Sequence, residues 1–273
     1  LGQSFVFVLV PPLARDLGLS EIQTSSIFAI SAVAWALTSA FWGRTSDKYG
    51  RRNIAILGLI GYAISLIALI TPLFLVERNI LHFAYLFPAL VLGRLINGLI
   101  GSATRPASFA YVADTTSKEK RTLKFARLES SFLLGTVAGP LLGGFLFLIT
   151  NETPFYVFSF FALVAAWGIY KELDNTNVKK ETKKENIKIH WHSKTILPFL
   201  MYAAILSLCQ ASLLQSIGFY ITDLFREFEN LPTLISMTFA LLSISTIVSQ
   251  YIFTDAFPMK NFNLLLFGTM LLV

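Results

Sequence analysis

Long, continuous apolar runs recur along the whole chain, and short polar segments separate them. A helix that crosses the hydrocarbon core of a bilayer needs about 20 apolar residues. A helix or strand of a soluble domain instead alternates apolar and polar positions with a period of about 3.6 or 2. The runs therefore predict complete membrane-spanning helices at 25–42, 54–76, 85–112, 132–150, 154–170, 196–221 and 231–253.

The apolar residues at the two ends of the sequence predict two further spans, both incomplete. Residues 1–14 are typical of the end of a span, and residues 264–273 are typical of the beginning of one. We therefore expect both ends of the sequence to be truncated, and the chain to hold about nine spans in all.

One long polar segment divides the predicted spans into two groups. Residues 171–194 are rich in Lys, Glu and Asn and hold almost no apolar pattern, which is typical of a flexible linker. We therefore predict an all-α polytopic membrane protein with two halves of about six helices each. Residues 1–170 form the N-terminal half, 171–194 form the linker, and 195–273 form an incomplete C-terminal half of about three spans.

The composition excludes an ordinary soluble domain and gives no support for an enzyme. Charged residues make up 14% of the chain, whereas a soluble domain holds about 25%. The single cysteine, Cys209, lies within a predicted span, so no disulfide framework can form within the chain. The 3 histidines form no cluster with acidic or nucleophilic residues at a defined depth. We therefore predict no catalytic residues, no metal site and no cofactor.

The distribution of basic residues predicts the orientation of the chain. Basic residues of short loops are retained in the cytoplasm. The loops on one side of the membrane hold only Arg15, Arg78 and Arg226. Most of the 22 basic residues instead lie in the alternate loops 43–53, 113–131, 171–195 and 254–263. These loops and the linker are therefore expected in the cytoplasm of a multi-pass protein, in a bacterial inner membrane. The net charge of +6 then reflects topology rather than a nucleic-acid partner.

The loop after the first complete span carries a motif of fixed spacing. Residues Gly43 to Arg52 fit G-x-x-x-D-[RK]-x-G-R-[RK] at every specified position, which resembles the loop signature of the major facilitator superfamily. The fourth span carries Arg94 and Asn97 and ends at Asp114, and it resembles the tetracycline-exporter-like branch of that superfamily. A further segment resembles the fifth-helix signature of its drug:proton antiporters, and consists of Gly135, Gly139, Pro140, Gly143 and Gly144.

The loop motif implies a cytoplasmic latch, as the superfamily resemblance suggests. Glycine permits a tight turn and close helix approach, and a carboxylate accepts hydrogen bonds from an arginine or a helix N-terminus. The resemblance implies that the motif holds the two halves together when the cavity faces outward. The alternative is a set of charges that only fixes topology. The latch residues are Gly43, Asp47, Gly50, Arg51, Arg52 and Asp114, with Asp114 as a candidate partner of Arg51.

The glycine-rich fifth span predicts close helix packing. Gly135, Gly139 and Gly143 recur at every fourth position, which lets the backbone of a neighbouring helix approach. Pro140 removes one backbone donor and can bend the helix. The resemblance implies that this bend helps to seal the cavity and favours exchange over leak. Ala126 replaces a glycine that usually begins the signature.

Arg94 is the strongest functional candidate, because a charge within a span is costly unless it has a partner or a task. The resemblance implies that it is linked to proton coupling. Arginine does not release a proton, so it would instead shift the pKa of a nearby acid or hold a water. The alternative is a structural ion pair.

Arg105 is not part of the family pattern. It follows Arg94 by 11 positions, about three helical turns, which predicts that both lie on one polar stripe with Asn97. Glu129 lies at a matching depth on the next helix, so we predict a buried Arg105–Glu129 ion pair. The competing hypothesis is that Arg105 binds an anionic substrate.

Gln210 and Gln215 are further cavity candidates in the span at 196–221. The resemblance implies that this helix lines the central cavity together with the first and fourth. Both side chains could instead hydrogen-bond to a neighbouring helix.

These features together predict a secondary active transporter that exports a small molecule in exchange for protons and functions as a monomer. Two halves would rock around a central site in the bilayer. The sequence holds no G-x-x-x-x-G-K-[ST] motif for a nucleotide. The alternatives are an importer or uniporter of the same superfamily, or an exporter of an anionic metabolite.

Overall fold

The structure is a computed structural model in which residues 2–174 and 197–225 are described, with isolated helical positions at 234, 235, 237, 238, 241, 244, 245 and 248. Every regular element in these residues is helical. Short 3-10 turns lie at Phe83–Tyr85 and Gly101–Ala103. The α-helices are α1 (Gly2–Asp16), α2 (Glu21–Tyr49), α3 (Arg51–Glu77), α4 (Leu86–Leu99), α5 (Thr104–Thr115), α6 (Lys118–Phe147), α7 (Thr153–Glu172) and α8 (Leu197–Leu224).

Several helical segments are long and apolar enough to cross a membrane, and this confirms the predicted all-α, multi-pass fold class. By length and composition, they are Glu21–Tyr49, Arg51–Glu77, Phe83–Thr115, Arg127–Phe147 and Thr153–Glu172. The predicted span at 264–273, most of the span at 231–253 and nearly all of the linker lie outside the described residues. The division into two halves stays a prediction.

The connections between the described helices lie at two ends of the bundle. We call the end where α2 passes into α3, at Tyr49–Arg51, the basic end. The end where α1 passes into α2, at Asp16–Glu21, is the opposite end. Gly50 alone joins α2 to α3, with a φ of 93° that favours glycine. At the opposite end, Ser20 caps α2 through a reciprocal capping box with Gln23.

The core of the bundle forms around α1, which packs against α2, α6, α7 and α8. Phe5 is fully buried, and its ring lies 4.9 Å from Phe155 in an edge-on contact. The same ring stacks on Phe158 with 4.6 Å between centroids. On the other side of the bundle, α3 packs against α4 and α7, and α2 packs against α4. These contacts place α1 and α4 in the interior.

The predicted span at 85–112 is not one regular helix. It ends as α4 at Leu99, passes through the 3-10 turn Gly101–Ala103, and resumes as α5 at Thr104. Pro106 explains the break, because it lacks an N–H and its ring would clash with the carbonyl of Ser102 in a continuous α-helix. In the first turn of α5 the missing N–H has no cost, since that N–H would be unpaired in any case.

The cytoplasmic loop predicted at 113–131 is much shorter in the structure. Only Thr116 and Ser117 separate α5 from α6, which begins at Lys118. Hydropathy marks where the hydrocarbon core ends and not where a helix ends, and Lys, Glu, Arg and Leu are good helix formers. The helix also continues through Pro140 without a break.

Two glycines set the position of α4 between its neighbours. A Cβ at Gly93 would lie 2.9 Å from the backbone of Ala68 in α3. A Cβ at Gly98 would lie 2.5 Å from the carbonyl oxygen of Ser31 in α2. Since backbone atoms cannot move aside cheaply, both positions require glycine.

We predict that Gly93→Leu destabilises the bundle, because the added side chain forces α4 away from α3. Overpacking of this kind costs about 1–3 kcal/mol. The apparent melting temperature of the purified protein in detergent measures the effect. Gly168→Leu is the matched control, since a Cβ at Gly168 meets no described atom within 4 Å. Equal melting temperatures for the two variants would contradict the prediction.

Candidate functional site

A charged cluster at the basic end is centred on Arg51, which is only 5% exposed. Its Nε donates to Oδ2 of Asp114 at 3.0 Å, and its guanidinium also pairs with Asp47. Its Nη1 donates to Oγ of Ser46 at 2.6 Å and to the carbonyl of Gly43 at 3.3 Å. The structure thus brings together the end of α2, the start of α3 and the end of α5 around one guanidinium. Ser46 was missed because it stands at an unspecified position of the motif.

Arg52 belongs to a different contact. Its Nη1 donates to the carbonyl of Leu173 at 3.0 Å and to that of Tyr170 at 3.4 Å, and its guanidinium lies 5.1 Å from the centre of the Tyr170 ring. The last carbonyls of a helix have no partner within the helix, so Arg52 caps α7. Close helix approach was also expected at Gly43, but a Cβ there would meet no described atom within 4 Å.

Arg94 lies in the interior of the bundle and is 1% exposed. Its guanidinium faces the rings of Phe28 at 5.3 Å and Phe7 at 5.9 Å, which are cation–π contacts. Its Nε and Nη1 have no hydrogen-bond partner within the described residues, where no carboxylate pairs with it either. The backbone is fixed, because Oγ of Ser31 donates to the Arg94 carbonyl at 2.8 Å.

Other polar groups surround this arginine. Asn97 is 1% exposed, and its Nδ2 donates to Oε1 of Gln3 at 3.3 Å. Its Oδ1 and the hydroxyl of Tyr62 are buried without a partner in the described part of the chain. A Cβ at Gly101 would lie 2.6 Å from Oδ1 of Asn97 and 3.7 Å from Cβ of Tyr62, so both side chains lie beside the same glycine. We call Gln3, Tyr62, Arg94 and Asn97 the polar cluster.

The polar cluster holds several buried atoms whose capacity for hydrogen bonds is unused in the described structure. Buried polar atoms without partners are costly and rare, so several of them around one charge suggest a function. The unpaired atoms include two N–H donors on Arg94, an acceptor on Asn97 and a hydroxyl on Tyr62. Sequence analysis missed Gln3 and Tyr62, although a single polar residue inside an apolar run was a usable signal.

Arg105 and Glu129 are brought together as the matched depths predicted. Nη2 of Arg105 donates to both carboxylate oxygens of Glu129, at 2.8 and 3.1 Å. The guanidinium lies 5.1 Å from the ring centre of Phe132 and 5.8 Å from that of Phe109. The pair is not buried in the described structure, since the Arg105 and Glu129 side chains are 54% and 41% exposed.

The predicted stripe that joins Arg94 and Arg105 is not formed. Arg94 contacts rings of α1 and α2, whereas Arg105 contacts α6 and its own helix. The 3-10 turn between them has about three residues per turn instead of 3.6, which changes the register of the two segments. Asn97 stays with Arg94, on the α4 side of the turn.

The glycine face of α6 packs against α1. Oγ of Ser4 donates to the carbonyl of Gly135 at 3.2 Å, and a Cβ at Gly143 would lie 2.9 Å from Cβ of Phe5. The buried residues of this segment are Gly139, Pro140, Gly143 and Gly144.

Two of the predicted cavity residues lie in α8. Gln210 and Gln215 belong to α8, but their side chains lie outside the described residues. Among the residues that are described, no group of three or more His, Cys, Asp and Glu could hold a metal ion.

The known proteins that this chain resembles in sequence include three that are named for resistance to tetracycline or quinolone. The tetracycline resistance protein, class B, of Escherichia coli is 30% identical over 191 residues, which cover 67% of this chain and 44% of the relative. The class D protein of Salmonella ordonez is 30% identical over 194 residues, 68% of this chain and 45% of the relative. The quinolone resistance protein NorA of Staphylococcus aureus (strain MRSA252) is 28% identical over 156 residues, 57% of this chain and 37% of the relative. The matched segments thus span less than half the length of these relatives.

The relatives confirm the resemblance to drug-resistance transporters of the tetracycline-exporter-like branch. Together with the apolar helices, these relatives indicate a multi-pass protein of the bacterial inner membrane. They also support a transporter rather than an enzyme. The family model for the Major Facilitator Superfamily matches residues 1–273. The chain therefore belongs to the Major Facilitator Superfamily.

Proposed function

We propose that the protein is a secondary active transporter that exports a small drug-like molecule or metabolite in exchange for protons. The observation that carries the proposal is Arg94, which is fully buried beside unpaired polar atoms in a membrane-spanning bundle. The names of the relatives, resistance proteins for tetracycline and quinolone, support drug-like substrates and outward transport. Alternating access of two halves would move the substrate across.

The polar cluster would couple transport to protons. Arg94 does not give up its proton, but its charge lowers the pKa of any acid that comes close. Its Nε and Nη1 are unpaired in the described structure, so an approaching carboxylate or a water would gain a charged donor. Tyr62 and Asn97 supply a further hydroxyl and acceptor at the same place. A proton on the incoming group would therefore be released more easily near Arg94 than away from it.

The Arg51 cluster would hold the cytoplasmic side closed in the outward-facing state, with the basic end in the cytoplasm. All three guanidinium nitrogens of Arg51 make contacts within the cluster, so it fixes the positions of Asp47 and Asp114. The Asp47 side chain stays 54% exposed and can accept hydrogen bonds from a further element. In this proposal Arg51 positions the carboxylates, and Asp47 makes the contact that latches.

Export of an anionic metabolite is the second candidate, and Arg105 favours it. Only one guanidinium nitrogen, Nη2, donates to Glu129. The remaining nitrogens are free to bind a carboxylate in the described structure, where the side chain is 54% exposed. The rings of Phe109 and Phe132 beside it suit an aromatic acid.

We predict proton antiport that depends on Arg94. Everted membrane vesicles with a respiratory proton gradient are treated with cationic, neutral and anionic compounds, and a pH-sensitive dye follows the gradient. A subset of compounds should dissipate the gradient, and Arg94→Gln should abolish this response because the charge near the incoming acid is lost. Arg78→Gln is the control, since Arg78 lies at the opposite end of α3. A normal response in Arg94→Gln, or no response to any compound in the unmodified protein, would contradict the proposal.

We predict that transport is preserved when Arg105 and Glu129 exchange places, if their role is to neutralise each other's charge in an ion pair. The double variant Arg105→Glu with Glu129→Arg should then recover the activity that each single variant loses. Transport of each compound in the same vesicles measures recovery. Failure of the double variant, together with loss of anionic substrates only in Arg105→Ala, would instead support the anion site.

We predict that Gly139→Leu reduces transport more than it reduces membrane insertion. The new side chain enters the buried glycine face of α6, which packs against α1. Immunoblots of membranes give the amount inserted, and the vesicle assay gives the transport per molecule. Gly168→Leu in α7 is the matched control. Full transport by a Gly139→Leu protein that inserts normally would refute the prediction.

A further inference from the structure

A second charged contact lies at the opposite end of the bundle and joins α1 to α8. Nη2 of Arg15 lies 3.0 Å from Oδ1 of Asp223 and 3.7 Å from Oε1 of Glu21. Arg15 lies in the last turn of α1 and Glu21 begins α2, whereas Asp223 lies near the end of α8. The ion pair therefore connects the two predicted halves, in contrast to the Arg51 cluster.

The packing of α8 is concentrated at the same end. Ile221 is 7% exposed, and Ile217 packs against the core around α1. Towards the basic end, the exposed apolar side chains of α8 include Met201 at 57% and Leu208 at 68%. Among the described residues, the buried contacts of α8 with the N-terminal half thus lie beside Arg15, around Ile217 and Ile221.

Arg15 has an acidic group on each side of the contact, Asp223 on α8 and Glu21 on α2, and a third, Asp16, beside it on α1. Its side chain is 29% exposed, and its Nη1 is buried without a partner among the described residues. A partly buried charge that loses its only partner is costly. Glu21 moves with α1, so it can take over the guanidinium when Asp223 moves away. This arrangement lowers the cost of separating the halves.

We infer that Arg15 is a positioning residue whose ion pair with Asp223 keeps the outer side of the transport pathway closed. When that side opens, the Arg15 guanidinium pairs with Glu21 instead. The inference rests on the proposed function, because it assumes that the two halves alternate. It assigns a latch to the end remote from the Arg51 cluster. The two carboxylates then act in opposite directions, since Asp223 stabilises the closed side and Glu21 the open one.

The test measures how often the outer side opens. The chain is expressed in cells from its complete coding sequence with Cys209→Ser, and Ile221→Cys serves as a reporter in the closed contact. A membrane-impermeant maleimide is added outside, and the rate of labelling is followed. Arg15→Gln and Asp223→Asn should raise this rate by about two- to five-fold, the range expected for a half-exposed ion pair. Glu21→Gln should lower it.

Controls separate this effect from a general loosening of the fold. Arg78→Gln removes an arginine from the same end, where it stacks on Phe74 at 3.9 Å, and should leave the rate unchanged. The double variant Arg15→Asp with Asp223→Arg should return the rate towards its original value. If Ile221→Cys does not fold, Ile217→Cys gives the same measurement from a second position of α8 that packs against the core around α1.

The inference is overturned if Arg15→Gln leaves the labelling rate unchanged, or if Glu21→Gln and Asp223→Asn change it in the same direction. Equal rises in Arg15→Gln and Arg78→Gln would also overturn it. The labelling needs no substrate, so a failure to find transported compounds does not affect its outcome. Conversely, a transporter with normal proton antiport and no effect of Arg15 would refute the latch alone.

Discussion

The Arg94 guanidinium lies fully buried in a bundle of apolar helices, and the surrounding structure is arranged to tolerate it. A charge in such a place is costly unless other groups replace the lost water. Phe7 and Phe28 supply ring faces, and Ser31 fixes the backbone carbonyl. Gly93 and Gly98 let α3 and α2 approach so closely that α4 cannot shift to expose its arginine. The residual cost is seen in the unpaired donors, and in the proposed mechanism it favours binding of an acid.

Ion pairs within one half and ion pairs between the halves differ in what they can do. Arg51, Asp47 and Asp114 all lie in the predicted N-terminal half, so rocking of the halves does not break their contacts. They can shape a latch, but the group that it holds has to come from the other half. Arg15 and Asp223 lie in different predicted halves, and their distance must change when the halves rock. In the proposed transport cycle, only a pair between the halves contributes directly to the balance between the inward-open and outward-open states.

The sequence predicted best what depends on bilayer thickness and fixed spacing. Apolar runs located the spans, and the loop motif located Arg51 and Asp47 in one cluster. Prediction from the sequence failed for features that depend on local backbone geometry. Pro106 breaks the fourth span and moves Arg105 off the face of Arg94, which an ideal helical count cannot show.

Contacts between distant segments were the least predictable part of the site. The cap that Arg52 places on α7 joins positions 118 and 121 residues apart, and no sequence spacing announces it. Tyr62 and Gln3 enter the polar cluster only because α1 and α3 both pass beside α4. Arg105 and Glu129 were found because adjacent antiparallel helices place residues of equal depth together. Depth in the membrane therefore predicts contacts between helices that are adjacent in sequence. It does not predict contacts between other helices, because these also depend on the order of helices around the bundle.

The exposure of the Arg105–Glu129 pair restricts what can face it. Glu129 lies in a candidate membrane span, as does Arg105, so neither charge can face lipid without a large cost. The exposed side of the pair must meet either an aqueous cavity or a polar surface of the other half. Both partners belong to the same predicted half, so the pair stays intact during rocking while its surroundings change from one to the other. In the proposed transport cycle, the guanidinium nitrogens that do not contact Glu129 would then be accessible to substrate in one state and shielded in the other, as alternating access requires of a binding group.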